Sequence, residues 1–110
     1  MGSASALVLL FVSALLETFG DAIVRLGLHA SSTRRVLLLA AGGLVLFGYG
    51  CVVNAAPWDF GRLLGVYVVL FFIVAQAVGW AMFGQRPSIG IIVGGLFIAT
   101  GGVIVTMTSR

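Results

Sequence analysis

The chain has 110 residues, of which 61% are hydrophobic and 8% charged, with a formal net charge of +3 and a mean hydropathy of +1.23. A soluble domain carries about 25% charged residues, so this chain has too little polar surface to coat a water-exposed globule. What remains is an all-α membrane protein. At about 20 residues per span, the length accommodates a four-transmembrane-helix bundle with short connections and no separate extramembrane domain. A β-barrel is excluded because barrel strands alternate apolar and polar residues, whereas these segments are continuously apolar.

The first predicted helix covers about residues 6–27. The preceding Met1-Gly2-Ser3-Ala4-Ser5-Ala6 lacks the basic region of a signal peptide, so the apolar run is expected to stay as a helix. Ser13, Glu17, Asp21 and Arg25 follow one another at four-residue steps within it. That spacing makes one slowly drifting polar stripe. A polar stripe cannot face acyl chains cheaply: an acid near the bilayer centre costs roughly 2.5–3.5 kcal/mol on insertion scales. The stripe should therefore face other helices or an aqueous cavity. Asp21 precedes Arg25 by one turn, the favourable order for an ion pair. Glu17 lies deeper and has no basic residue within one turn. Low polarity disfavours its charged form, so it can hold a proton and release it when a cation arrives. A structural acid hydrogen-bonded between helices is the competing reading.

Residues 29–35 form a polar loop with Arg34 and Arg35. The second helix, about residues 36–53, is uncharged and contains Gly42, Gly43, Gly48 and Gly50. Residues 54–59 make a turn with Pro57 and Trp58. The third helix, about residues 60–83, carries Arg62, Tyr67 and Gln76 among apolar residues. Tyr67 can line a cation site with its ring and hydroxyl, or pack as an ordinary bundle aromatic. Tyr49, Trp58 and Trp80 read as interface or packing aromatics.

A tight turn at residues 84–88 leads to the fourth helix, about residues 89–107, with Ser88 as its cap. Gly90 and Gly94 have the small-xxx-small spacing that lets backbones approach closely in lipid, as do Gly95 and Ala99. With no charge of its own before Arg110, this helix reads as a packing element, in a dimer or within the bundle. The single Cys51 reads as a small apolar residue.

All six cations are arginines: Arg25, Arg34, Arg35, Arg62, Arg86 and Arg110. They cluster near segment ends, which fits lipid phosphates and orientation rather than nucleic acid. Their bias favours cytoplasmic first and third loops. One His, one Cys and three acids assemble no metal cluster or catalytic constellation. Neither a cofactor nor an enzymatic activity is expected.

Several stretches together resemble the small multidrug resistance family. They are Ala14-Leu15-Leu16-Glu17-Thr18-Phe19-Gly20, then Trp80-Ala81-Met82-Phe83-Gly84-Gln85-Arg86, and the run from Gly94 to Ile104. The resemblance covers nearly the whole chain. In the third helix, Gly61-Arg62 and Val66-Tyr67-Val68 look more like the YnfA-type relatives. Such a resemblance implies a dimer, parallel, antiparallel or with a paralogous subunit, in a bacterial inner membrane. It implies that Glu17 of both subunits forms a shared site for protons or a small cation. Tyr67 would face the substrate, and Gly94 and Gly101, with Gly90, would lie on the dimer face. Proton-coupled export of quaternary ammonium or guanidinium-type compounds is the implied activity. A non-transporting accessory subunit, or a component of a lipid-carrier flippase, is the alternative.

Overall fold

The computed structural model describes residues 3–108; Arg110 and the first two residues lie outside them. Four helices follow in chain order: α1 (Ser3–Leu28), α2 (Ser32–Val53), α3 (Phe60–Phe83) and α4 (Ile89–Met107). All four are long and apolar enough to cross a membrane. Even α4, with 19 residues, rises about 28 Å, close to the hydrocarbon thickness of a bilayer. The chain is an integral membrane protein with an all-α four-helix bundle.

The helices pack in the order α2, α1, α3, α4, so α1 and α3 form the centre of a flattened bundle. Their contact supplies most of the core, with Leu10 and Ala14 from α1 and Leu63, Val66, Val74 and Val78 from α3. In lipid, no hydrophobic gain drives helices together; close van der Waals approach does. Small residues at the contacts provide that approach. At Gly42 of α2, an added Cβ would stand 3.1 Å from the Gly20 carbonyl oxygen of α1. Gly95 and Gly102 of α4 lie against Phe72 and Val69 of α3. An adjoining face of α4 is open: nothing lies within 4 Å of a Cβ placed at Gly94 or Gly101. Large apolar side chains also point outward, including Leu44, Phe47 and Phe97 at more than 70% exposure. That surface belongs in acyl chains.

Helix α2 begins at Ser32, four residues before its expected start, so Arg34 and Arg35 sit in its first turn. Arg35 Nη1 donates to the Leu28 carbonyl at 3.0 Å, satisfying a carbonyl that the end of α1 leaves open. Helix α3 ends at Gly84, whose φ of 65° is the left-handed conformation glycine adopts at a helix C-terminus. The Gly84 and Gln85 amides return to the Trp80 and Gly79 carbonyls. Ser88 Oγ accepts from the Ile91 amide at 3.3 Å, the cap its position predicts.

Arginine–tryptophan stacks occur near both ends of α3. Arg62 lies 4.9 Å from the Trp58 ring, and Arg86 lies 5.3 Å from the Trp80 ring. Arg62 Nη2 also donates to the Thr106 carbonyl at 3.0 Å, joining the start of α3 to the end of α4.

Candidate functional site

Glu17 sits about midway along α1, half-buried, on the side facing α3. Tyr67 of α3 comes to meet it: Tyr67 Oη donates to Glu17 Oε1 at 2.8 Å. The two residues are 50 positions apart in sequence, so this contact is made by the fold. Tyr67 is only 4% exposed, which fixes its ring and aims its hydroxyl. Tyr67 thus packs as a bundle aromatic and presents its hydroxyl to Glu17.

Tyr49 of α2 completes a second wall. Its ring centroid lies 5.7 Å from that of Tyr67, and it is near enough to Glu17 and Tyr67 to interact with both. Phe71, one turn beyond Tyr67, continues the aromatic surface at 6.0 Å. Sequence reasoning places Tyr49 among packing or interface aromatics and does not single out Phe71. Tyr49 has a visible signal, a lone hydroxyl in an uncharged apolar helix. Phe71 has one as well, its four-residue step from Tyr67.

The other members of the α1 stripe are not equivalent to Glu17. Ser13 is fully buried, and its hydroxyl donates to the Leu9 carbonyl of its own helix at 2.8 Å. It is a core residue of α1 with its proton already placed. Thr18 Oγ1 donates in the same way to the Ala14 carbonyl at 2.9 Å.

Asp21 and Arg25 are exposed and line one cleft between α1 and α3, of about 170 Å³. The expected Asp21–Arg25 ion pair is not the arrangement adopted. The Arg25 guanidinium lies over the Phe83 ring, 5.5 Å from its centroid. Arg25 is thus held by a ring of α3 rather than by the acid one turn before it.

Among the described residues no cationic side chain pairs with Glu17. Its carboxylate meets the phenols of Tyr67 and Tyr49, set in an aromatic wall. Such a group can take a proton, or hold a cation against the ring faces. Gly90, Gly94 and Gly101 take no part in this site. They lie exposed along α4.

Comparison with known proteins supplies two relatives, each a UPF0060 membrane protein. One, from Herpetosiphon aurantiacus, is 29% identical over 107 residues, covering 96% of both chains. The other, from Aeromonas hydrophila subsp. hydrophila, is 31% identical over 110 residues, covering all of this chain and 98% of its own. No protein-family model matches the chain, and no solved structure matches it either. The relatives accord with the YnfA-type features of α3. At 31% identity along its full length, the chain belongs to the UPF0060 membrane protein family.

Proposed function

We propose that this protein is a dimeric, proton-coupled exporter of small organic cations in the bacterial inner membrane. The observation that carries the reading is the hydrogen bond from Tyr67 to Glu17 at 2.8 Å, deep within two membrane spans. A lone carboxylate there needs a positive charge to offset its desolvation, and no side chain supplies one among the described residues. A mobile cation or a proton does. Either occupant excludes the other, and that mutual exclusion is what proton–cation exchange requires.

Tyr49 and Tyr67 provide ring faces for a cation and hydroxyls for its orientation. A second protomer would close the open side of the site and bring a second Glu17. The free glycine face of α4 supports such pairing. Exchange of roles between two protomers then gives alternating access, as in transporters built from paired repeats. The similarity to small multidrug resistance proteins supports the same reading.

The test is current in proteoliposomes under a proton gradient, with phenylguanidinium or tetraethylammonium as substrate. Saturable, proton-coupled current in the wild type that disappears in Glu17→Gln is expected. A current that survives the substitution would overturn the assignment.

A further inference from the structure

The polar stripe of α1 faces an aromatic stripe on α3. Tyr67, Phe71, Ala75, Gly79 and Phe83 follow one another at four-residue steps, so they share one drifting face. Tyr67 serves Glu17. Further along, the two small residues Ala75 and Gly79 interrupt the rings. The gap they leave is the cleft of about 170 Å³, bordered by Phe71 and Phe83 and entered by Asp21 and Arg25 from α1.

Two features of this cleft lie outside the Tyr67–Glu17 hydrogen bond, with only the charge of Asp21 acting on Glu17. Asp21 is an acid without a cationic partner among the described residues. Arg25, one turn away from it, places its guanidinium on the Phe83 ring at 5.5 Å. The cleft therefore already displays how it holds a planar cation: on an aromatic face, with a carboxylate nearby. Residues four apart on a helix have Cβ atoms about 5–6 Å apart. The flexible Arg25 stem thus lets the guanidinium reach either Phe83 or Asp21.

We propose that this cleft is a second cation station, one turn beyond Glu17 toward the membrane surface formed by loops 29–31 and 84–88. Arg25 is its tethered resident, which an incoming cation displaces. The ligand class is small planar cations with delocalised charge, guanidinium or amidinium groups, because these stack on rings and pair with carboxylates through paired N–H donors. The proposal deepens the cation-exporter reading, yet binding in the cleft is measurable with the Glu17 site disabled.

Calorimetric titration with phenylguanidinium, on detergent-solubilised full chain in a Glu17→Gln background, tests it. Adding Arg25→Gln removes the resident and is expected to tighten binding at least tenfold. Adding Asp21→Asn as well is expected to abolish that gain. No gain in a double variant whose helicity and thermal transition match Glu17→Gln would overturn the station, as would a gain that survives Asp21→Asn. Should the double variant fail to fold, the Nε–H resonance of Arg25 in Glu17→Gln protein gives the answer without it. That resonance is expected to shift and saturate with phenylguanidinium, and an unmoved resonance would overturn the proposal. Failure of the Glu17 reading shows separately, as equal transport by wild type and Glu17→Gln.

Discussion

Replacing Gly42 with Ala tests the packing that positions the second wall of the site. A Cβ at Gly42 would stand 2.6 Å from Val24 Cγ2, 3.0 Å from the Val24 backbone nitrogen and 3.1 Å from the Gly20 carbonyl oxygen. Two of these atoms are backbone and cannot rotate away, so α2 must retreat from α1. Its neighbour Gly43 has nothing within 4 Å of the same added atom. Both substitutions gain the same helix propensity, up to about 1 kcal/mol, so the difference between them isolates the contact. Overpacking costs about 1–3 kcal/mol. The unfolding equilibria of Gly42→Ala and Gly43→Ala should then differ by roughly 5- to 140-fold. Thermal or detergent-titrated unfolding, followed by far-ultraviolet circular dichroism, measures this on purified protein. The retreat also moves Tyr49 away from Tyr67, so Gly42→Ala should weaken cation binding while Gly43→Ala leaves it unchanged. Stabilities equal within about 0.5 kcal/mol, the usual scatter of surface substitutions, would refute the close α1–α2 approach.

Tyr67→Phe removes the hydroxyl that donates to Glu17 Oε1 at 2.8 Å. Hydrogen bonds to charged groups are worth about 1.5–3 kcal/mol, so calorimetry should show cation affinity falling roughly tenfold to a hundredfold. Arg62→Ala loses both the Thr106 carbonyl bond and the Trp58 stack. It should destabilise the protein by about 1–3 kcal/mol in the same unfolding assay, with Arg62→Lys restoring only part, since an ammonium lacks the planar fork. Gly94→Leu and Gly101→Leu, on the open face of α4, should leave protomer unfolding unchanged. They should shift the proposed dimer toward monomer in light scattering coupled to size exclusion.

The four spans are legible in the sequence because lipid demands long, continuously apolar helices, and little else in the chain competes with that pattern. Glu17 is legible for the same reason, as an acid that composition makes conspicuous. Gly84 and Ser88 announce the α3–α4 turn through local backbone chemistry. What the sequence leaves open depends on neighbours from other helices. Arg25 has Asp21 one turn away, and that local rule predicts an ion pair. The competing partner, Phe83, comes from α3 and is invisible until the helices are docked. Ser13 shares the spacing of the polar stripe, yet its hydroxyl turns back to the Leu9 carbonyl, an option open to any helical serine. Gly94 and Gly95 are adjacent and chemically identical. Only the docked position of α3 separates the one that packs inward from the one that stays free.

The most direct test of the central claim is proton-coupled current in proteoliposomes carrying wild type or Glu17→Gln. The wild type should give saturable current with a small organic cation, and its apparent affinity should weaken as pH falls because protons and the cation compete for one carboxylate. Glu17→Gln, correctly folded, should give none. Undiminished current in the substituted protein, or wild-type affinity that does not change with pH, would contradict Glu17 as the shared site.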